Sequence, residues 1–441
     1  MKLKKSMYNV EIDRIDNENV LMFNSFTTAF GIMDKRACEI YFHSDLIDEE
    51  CVKNKEDQET ISIMKDNGFL VNRELDEYAK LKVIGNMSRY SNENFSLMIA
   101  PTMACNMACP YCYEEKTNKR MSENIENALV DYVEKTIINN KIKKFNVAWY
   151  GGEPLLEKKM ILRLSRKFIN ICKDNNVIYT AMIVTNGSLL DKSTANMLKE
   201  ECQVSFAQIT IDGLSENNNS RRKLKSGENS FEIITNNIDV SNEFIDIKIR
   251  INIDKTNLEE TKQLINYFMD DKKWDKNRVK YYFAPVTNVT DACTAKVEDC
   301  FTSTEFGKID AKLLDFIYKK GNVETIKEMY PKFATCSCDA VTPNTYVVDP
   351  EGFLYKCADV IGIKSNRVGD IFSGPEFNNE YIELLNLDTP DECKECNLLP
   401  ICQGGCARLR LKNGNKAICN HRKYSFKENL RIVYDDYLSA E

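Results

Sequence analysis

Residues 100–115 read APTMACNMACPYCYEE and place three cysteines, Cys105, Cys109 and Cys112, at the spacing Cys-x3-Cys-x2-Cys. Three thiolates in one loop can converge on one centre, but a closed zinc site needs four ligands. No fourth ligand lies nearby in the sequence. The same count suits a [4Fe-4S] cluster that is held by three thiolates and keeps one iron open for a small molecule. Three free buried cysteines, or a zinc ion that takes a distant cysteine, remain alternatives.

The composition of the chain also favours sulfur as the main metal ligand. Its 441 residues include 17 cysteines but only two histidines, His43 and His421. A reducing cytoplasm does not maintain so many cysteines as disulfides, and two histidines nearly exclude zinc sites of the Cys2His2 type. The sequence shows neither a signal peptide nor an apolar run that could span a membrane, so we expect a cytoplasmic protein without membrane contact. The net charge of −7 argues against nucleic-acid binding.

Strand-like and helical segments alternate after about residue 90. The strand-like segments are FSLMIAP (95–101), FNVAWYGG (145–152), YTAMIVTNG (179–187), VSFAQITIDG (204–213) and IKIRINID (247–254). Helical patterns separate them, for example at residues 122–140 and 158–174. This repetition predicts an α/β fold with a parallel sheet, and five or six repeats favour a partial barrel over a short open sheet. We assign residues 91–285 to this core.

The two ends of the chain follow other patterns. In the first 90 residues, strand-like segments precede helical ones, which predicts a small winged-helix-like module. The strand-like segments are YNVEI (8–12), NVLMFNS (19–25) and TAFGIM (28–33), and the helical ones are residues 36–43, 58–71 and 76–85. Residues 286–441 begin with two helical stretches near 304–330 and become loop-rich and cysteine-rich beyond residue 336.

Glycine and polar motifs follow the strand-like segments, where parallel α/β folds collect ligand-binding residues. Gly151, Gly152 and Glu153 follow the second segment, and Thr185 and Asn186 end the third. Glycines let the backbone approach a ligand, and Glu153 can accept a hydrogen bond from an amine. Each motif alone is as typical of a structural turn as of a binding site.

The fifth strand-like segment carries Arg250 and Asn252 on one face, because side chains two apart on a strand point the same way. A buried arginine that points into a barrel needs a carboxylate partner. That partner is either a ligand or an acidic side chain of the protein in a structural ion pair.

Taken together, these residues resemble the radical SAM superfamily over roughly residues 95–285. The resemblance implies that Cys105, Cys109 and Cys112 hold a [4Fe-4S] cluster whose open iron chelates S-adenosylmethionine (SAM). It gives the methionine amino group to Glu153 and the two glycines before it. It also places Thr185 and Asn186 near the ribose or sulfonium, and it makes Arg250 a candidate for the carboxylate. The fold that it implies is a partial (β/α)6 barrel.

A second group of cysteines lies near the C-terminus, in residues 336–357 and 393–419. Two zinc sites are one reading of these spacings, because Cys-x2-Cys suits zinc and iron-sulfur clusters alike. The spacings also resemble the SPASM domain, a C-terminal iron-sulfur domain with up to two auxiliary [4Fe-4S] clusters. The resemblance implies one cluster on Cys393, Cys396, Cys402 and Cys419 and another on Cys338, Cys357 and Cys406.

The fourth ligand of that second auxiliary cluster is open. Cys336 satisfies the spacing, Cys293 or Cys300 could reach from further away, and an iron could stay open for a substrate thiolate. Cys38, Cys51, Cys172 and Cys202, in contrast, lie in helical or strand patterns typical of ordinary buried cysteines.

The N-terminal module resembles the peptide-recognition winged helix that precedes many radical SAM-SPASM enzymes that mature ribosomally made peptides. The resemblance implies a peptide-modifying radical SAM oxidoreductase that forms thioether cross-links from a cysteine sulfur to a carbon. Its partners would be a cysteine-containing precursor peptide and a flavodoxin- or ferredoxin-like electron donor. The leader of the peptide would bind as an added strand.

Two other functions remain open. An anaerobic sulfatase-maturing enzyme, which generates formylglycine, shares the Gly-Gly-Glu-Pro motif and the SPASM cysteines. That branch usually has an aspartate directly after the cysteine that corresponds to Cys357, whereas this chain has Ala358 and then Asp359. The segment DGLSENNNSRR (212–222) also lacks the proline and histidine that often follow the Asp-Gly of both branches, which leaves open whether Asn218 contacts substrate or SAM. From another class, a non-catalytic zinc-binding interaction protein would leave the ordered motifs at the strand ends unexplained.

Overall fold

The computed structural model describes residues 2–43, 46–288, 290 and 292–440. Among them, the first 90 form two three-stranded antiparallel sheets, in the orders β5-β1-β6 and β2-β3-β4. The elements are β1 (Lys2–Lys5), β2 (Asn9–Arg14), β3 (Val20–Asn24), β4 (Phe30–Met33), α1 (Lys35–His43), β5 (Leu46–Asp48), α2 (Lys55–Asp66), β6 (Leu70–Asn72) and α3 (Glu77–Arg89).

The predicted strands of this module are confirmed as β2, β3 and β4, whereas β1 and β5 were not predicted. One helical prediction is partly wrong, because residues 58–71 form α2 only as far as Asp66 and then enter β6. Gly68 adopts a positive φ of 80°, the left-handed conformation in which many helices end. The prediction that Cys38 and Cys51 are buried is also wrong. Cys51 is exposed at the end of a short 3-10 turn, and Cys38 is half-buried.

Six parallel strands in the order β12-β11-β10-β9-β8-β7 form the central sheet of the described residues. All five predicted strands are confirmed, and β12 is the sixth. The elements are β7 (Asn94–Ile99), α4 (Glu123–Asn140), β8 (Lys144–Trp149), α5 (Lys158–Asp174), β9 (Ile178–Thr185), α6 (Lys192–Glu200), β10 (Val204–Thr210), α7 (Ser215–Arg221), α8 (Ser230–Ser241), β11 (Asp246–Ile253), α9 (Thr261–Asn266) and β12 (Val279–Pro285).

Alternation along these strands separates a helix-covered apolar face from a polar inner face. On β8, Phe145, Val147 and Trp149 are buried in the main hydrophobic core together with residues of α4 and α5. The residues between them are half-buried, and Asn146 donates a hydrogen bond to Ser96 on β7 at 3.1 Å. A sheet of this kind brings the carboxyl ends of its strands together at one edge, where the predicted motifs lie.

The remaining described residues add six helices, α10 to α15, and four short strands to this core. They are α10 (Ser303–Lys319), α11 (Val323–Glu328), β13 (Thr345–Val348), β14 (Leu354–Tyr355), β15 (Gly369–Asp370), β16 (Gly374–Pro375), α12 (Asn379–Leu385), α13 (Leu399–Cys402), α14 (Ala407–Lys412) and α15 (Arg422–Ala440). Strand β13 pairs in parallel with β7 and so extends the central sheet into the cysteine-rich region. No helix in the described ranges is both long and apolar enough to cross a membrane.

The N-terminal module packs against the cysteine-rich region. The ring of Phe23 on β3 lies 5.3 Å from that of Phe426 on α15, and both belong to a hydrophobic cluster that includes Leu398. A second shared cluster joins Tyr8 and Cys393. The module therefore shares apolar core with the region that contains the second group of cysteines.

Candidate functional site

The first cysteine loop leaves the carboxyl end of β7 and returns to α4 at residue 123. Cys105 is buried, and Cys109 and Cys112 are half-buried. Burial raises the pKa of Cys105 to about 11 and also raises the pKa of Cys112, and each thiol lies close enough to Cys109 for its charge to add to this effect. The raised pKa values of Cys105 and Cys112 are compatible with a metal centre in this loop, because a bound cation stabilises the thiolate form.

Two distant segments hold this loop in place. Ala108 donates a backbone hydrogen bond to Lys223 at 2.9 Å, and Lys225 donates one to Asn106 at 2.9 Å. On the other side, Thr294 donates through its backbone N–H to the carbonyl of Pro110 at 2.8 Å. The backbone of the loop is therefore fixed on both sides of Cys109.

The glycines of the Gly-Gly-Glu motif bring the end of β8 against the start of the loop. A Cβ atom on Gly151 would lie 2.5 Å from the carbonyl of Thr102, and one on Gly152 would lie 2.2 Å from the carbonyl of Ala104. The backbone N–H of Glu153 donates to that same Ala104 carbonyl at 2.8 Å. These positions need glycine because two backbones meet there, whereas the sequence suggested a close approach to a ligand.

The carboxylate of Glu153 is fully buried and joins the ends of two strands. It accepts hydrogen bonds from the Thr185 hydroxyl at 2.7 Å, from the Asn186 backbone N–H at 2.7 Å and from the Leu155 backbone N–H at 3.0 Å. Burial raises its pKa, and the bonds from Asn186 and Thr185 act in the opposite direction. The contact of Glu153 with a methionine amino group stays a prediction, and the structure adds a positioning role.

Asn186 connects this strand end to the first cysteine loop. Its side-chain amide donates to the Asn106 side chain at 2.7 Å and lies 3.8 Å from the sulfur of Cys105. The structure thus brings Cys105, Glu153, Thr185 and Asn186 together, as the sequence predicted.

Arg250 points into the polar face of the sheet and is half-buried. Its Nε donates to the Asn252 side chain at 2.7 Å, which confirms that the two residues face the same way. Within the described part of the chain, no carboxylate lies within ion-pair distance of Arg250. The structural ion pair considered from the sequence is therefore absent there, and the guanidinium is available for the carboxylate of a ligand.

A buried hydrogen-bond chain beside the loop was missed from the sequence. The Tyr111 hydroxyl donates to the carboxylate of Asp212, and Arg222 donates to the Tyr111 hydroxyl at 2.7 Å. Asp212 also accepts from the backbone N–H of Asn252 at 2.9 Å. Two adjacent arginines after an Asp-Gly turn were the only sequence signal. Asn218 accepts a hydrogen bond from the Asp212 backbone N–H and is fully buried, so its role there is structural.

The C-terminal cysteines fall into two neighbouring groups. Burial raises the pKa of the Cys393 thiol to about 11, and the charges of its neighbours Cys396, Cys402 and Cys419 add to this effect. In the second group, burial raises the pKa values of Cys338, Cys357 and Cys336. The charge of Cys406 adds to this effect at Cys338 and Cys357, and the charge of Cys338 adds to it at Cys336. A cavity of about 770 Å³ is lined by six of these cysteines, namely Cys338, Cys393, Cys396, Cys402, Cys406 and Cys419.

These groups fit iron-sulfur clusters better than single metal ions. No set of three or more Cys, His, Asp or Glu side chains among residues 2–43, 46–288, 290 and 292–440 converges as a single ion requires. Zinc would need sulfurs about 2.3 Å from one centre, whereas a cluster with several irons takes more widely spaced thiolates. The charge of Cys338 raises the pKa of Cys336 in addition to burial, so Cys336 lies near the second group, whereas Cys300 has Asp254, Cys293 and Asp299 as charged neighbours. The fourth ligand stays a prediction.

The two cysteine regions meet at Tyr150, the residue before Gly151. Burial raises the pKa of Tyr150, and Asp359, Cys112 and Cys357 add to this effect through their charges. Its hydroxyl also contacts that of Tyr113 in the first cysteine loop. Tyr150 therefore lies near a cysteine of the first loop and a cysteine of the second region.

Comparisons with known proteins agree with this geometry. Residues 99–268 match the radical SAM superfamily. A cysteine-type anaerobic sulfatase-maturating enzyme of Clostridium perfringens is 24% identical over 375 residues, which are 77% of this chain and 96% of that protein. The chain contains a radical SAM domain and is a radical SAM enzyme. This removes the alternative of a non-catalytic zinc-binding protein, and a radical SAM domain implies one [4Fe-4S] cluster and SAM.

Two solved structures share the fold. Native anSMEcpe with bound AdoMet and Cp18Cys peptide aligns with a TM-score of 0.59 at 22% identity, over 78% of this chain and 98% of that one. Streptococcus suis SuiB bound to precursor peptide SuiA aligns with a TM-score of 0.52 at 16% identity, over 93% of this chain and 96% of that one. At these identities the likeness establishes the fold, a partial α/β barrel.

Proposed function

We propose that this radical SAM enzyme matures a ribosomally made precursor peptide by joining a cysteine sulfur to a carbon of another residue. The observation that carries the proposal is the N-terminal module. Its strand β4 pairs only with β3 within the described residues, so β4 is an edge strand that an extended peptide can join. Ile32 on this edge is 47% exposed and can contact a side chain of the added strand.

The position of the module supports the same function. Arg89 at the end of α3 donates to the backbone carbonyls of Val341 and Leu385, so the module is attached to the cysteine-rich region. SuiB, whose structure contains a precursor peptide, aligns with 93% of this chain, against 78% for anSMEcpe. The larger aligned share for SuiB supports a peptide substrate that also contacts the N-terminal residues of this chain.

In this proposal Cys105, Cys109 and Cys112 hold the cluster that binds SAM. When bound, the cluster and SAM would supply the radical chemistry that removes a hydrogen atom from an unactivated carbon. Arg250 binds the SAM carboxylate, because its guanidinium has no carboxylate partner among the described side chains. Gly151, Gly152 and Glu153 contact the amino group, and Thr185 and Asn186 lie by the ribose or sulfonium.

The second cysteine region would hold the acceptor for the remaining electron. Joining a thiol and a carbon through a new C–S bond breaks one S–H and one C–H bond. The C–H hydrogen leaves as an atom, and the thiol proton and one electron must also leave. Auxiliary clusters on the groups of Cys393 and Cys406 would take that electron, and the nearness of Tyr150 to both Cys112 and Cys357 supports contact between the two cysteine regions. A flavodoxin- or ferredoxin-like protein supplies the initial electron, and the many free thiols suit a reducing cytoplasm.

Formylglycine generation is the second candidate, and two observations favour it. The Clostridium perfringens relative is named as a sulfatase-maturating enzyme. Asp359 does not directly follow Cys357, yet its charge adds to the burial that raises the pKa values of Cys357 and Tyr150. A carboxylate is therefore present near both groups.

Mass spectrometry of a peptide separates the two functions. The precursor encoded beside the gene is incubated anaerobically with reconstituted enzyme, SAM and reductant. Thioether formation predicts loss of two hydrogens and a thiol that resists alkylation, with the sulfur retained. Loss of the sulfur and gain of an aldehyde would contradict the thioether proposal and establish formylglycine generation.

A matched pair of variants tests the N-terminal module. Ile32→Lys changes an exposed residue on the β4 edge, and Ile63→Lys makes the same change at a residue of α2 that is 63% exposed. We expect Ile32→Lys to weaken binding of a labelled leader peptide at least tenfold and Ile63→Lys to leave it unchanged. Equal affinities would remove β4 as the peptide site.

A further inference from the structure

Arg222 is a buried cation beside the first cysteine loop. It is 6% exposed, and its Nη1 donates to the Tyr111 hydroxyl at 2.7 Å. Its Nε is buried and has no hydrogen-bond partner among the described residues. A buried donor without an acceptor is unfavourable, so the orphaned N–H indicates an acceptor outside the described residues.

The place of Arg222 is fixed by the backbone that holds the loop. Directly after it, Lys223 and Lys225 form the two backbone hydrogen bonds to Ala108 and Asn106. These bonds lie between Cys105 and Cys109 in the sequence. Arg222 therefore cannot move away from the loop without breaking them.

Burial and three neighbouring groups act on the charge of Arg222. Burial opposes its charge, and Tyr111, Cys109 and Asp212 raise its pKa, so the guanidinium stays charged. Its charge also acts on the buried carboxylate of Glu153. Neighbouring Arg221 differs, because it forms an ion pair with Asp254 at 2.8 Å. Among the described residues, the hydrogen bonds of Arg222 lead to an acidic group, Asp212, through the Tyr111 hydroxyl.

We propose that Arg222 is a positioning residue that raises the reduction potential of the cluster on the first cysteine loop. Reduction adds one negative charge to the cluster, and a fixed cation beside Cys109 stabilises that charge in a site with little water. Asp212, at the other end of the Tyr111 hydrogen bond, has the opposite effect. The inference rests on the cluster placement proposed above.

Two variants with opposite charge changes test this inference. Arg222→Met removes the cation, and Asp212→Asn removes the anion while it keeps a side-chain oxygen for the Tyr111 hydroxyl. Reconstituted full-length enzymes are titrated anaerobically without SAM, and the reduced cluster is followed by EPR. Its signal is the component that the triple variant Cys105→Ala, Cys109→Ala, Cys112→Ala lacks. We expect Arg222→Met to make reduction about tenfold less favourable, or about 59 mV for one electron, and Asp212→Asn to make it more favourable.

Arg222→Lys and Arg221→Met are the controls. Arg222→Lys retains the positive charge, so the cluster should keep most of its wild-type reduction potential. Arg221→Met makes the same charge change one residue away, at a guanidinium that already forms an ion pair with Asp254. It should shift the equilibrium of cluster reduction by less than threefold. A role in packing alone would expose the cluster to water and move both Arg222→Met and Asp212→Asn in the same direction.

The outcomes separate this inference from the proposed function. An unchanged potential in both variants, or shifts of equal sign, overturns the role of Arg222 while the cluster signal itself supports the site. If the Arg222→Met protein does not bind the cluster, the other two variants decide the role of Arg222. Asp212→Asn should then raise the reduction potential, and Arg222→Lys should leave it close to that of the wild type. If the triple variant retains every EPR component of the wild type, the cluster placement itself is wrong.

Discussion

The hydroxyl of Thr185 donates a hydrogen bond of 2.7 Å to the carboxylate of Glu153, and this bond joins the ends of β9 and β8. The same carboxylate accepts from the backbone N–H of Asn186, whose side chain reaches the first cysteine loop. Glu153 therefore holds three parts of the site in register before any ligand is bound.

Glu153→Gln should destabilise the protein although it conserves shape. The amide group replaces one acceptor oxygen by a donor, which would face a donor of Asn186 or Thr185 in a fully buried place. We expect a loss of about 1–3 kcal/mol in the free energy of unfolding, measured by anaerobic chemical denaturation. The control Glu93→Gln changes the partner of a Lys143 ion pair whose side chains are 71% and 56% exposed, and should cost less than about 1 kcal/mol. Equal losses would contradict the role of Glu153.

Local patterns made much of this site predictable. The cysteine spacing and the glycine motif identify the loop and the strand end from a few adjacent residues, and the alternation of β8 and β11 predicts which side chains face inward. Arg222 was missed because its place depends on backbone pairing with residues 106–108, more than a hundred positions earlier. Strand β13 was missed because four residues in a loop-rich region become a strand only when β7 offers a free edge.

The predicted cysteine roles can be tested by comparing groups. The triple variant Cys105→Ala, Cys109→Ala, Cys112→Ala should lose SAM cleavage and the iron of one cluster while it keeps the remaining iron. Cys172 and Cys202 are 1% and 0% exposed in the barrel core, so Cys172→Ala and Cys202→Ala should leave the iron content unchanged. Iron analysis and quantification of 5'-deoxyadenosine check both. SAM cleavage that survives the triple change would refute the first cluster site.

Arg89 is expected to hold the N-terminal module on the cysteine-rich region. Its guanidinium donates to the carbonyls of Val341 at 2.8 Å, Leu384 at 2.9 Å and Leu385 at 2.6 Å. Arg89→Ala leaves these carbonyls without their donor, and we expect a loss of about 3 kcal/mol in the free energy of unfolding. Limited proteolysis should then release the module earlier than in the wild type.

Lys82 on the same helix provides the control for Arg89. Its ion pair with Asp388 spans 3.2 Å between side chains that are 49% and 74% exposed, so Lys82→Ala should cost less than about 1 kcal/mol. A proteolysis pattern in Arg89→Ala that matches Lys82→Ala would show that the apolar contacts alone hold the module.

Asp310 on α10 should make stability depend on pH in the direction opposite to most carboxylates. It is 6% exposed, accepts a hydrogen bond from Ser425 at 2.8 Å, and burial raises its pKa to about 6 from an ordinary 3.8. Between these values the folded protein binds more protons than the unfolded chain, so this carboxylate destabilises the fold increasingly as the pH rises. At pH 7 the cost approaches about 3 kcal/mol.

Asp310→Asn removes this titration and keeps an oxygen for the Ser425 hydroxyl. Its stability relative to the wild type should therefore increase by about 1 kcal/mol between pH 5 and pH 7, in denaturation curves recorded anaerobically on reconstituted protein. Asp315→Asn on the same helix changes the partner of an exposed Lys319 ion pair and should alter stability by less than about 1 kcal/mol at either pH. A difference between Asp310→Asn and the wild type that stays constant with pH, or falls as the pH rises, would mean that Asp310 is not a buried acid with a raised pKa.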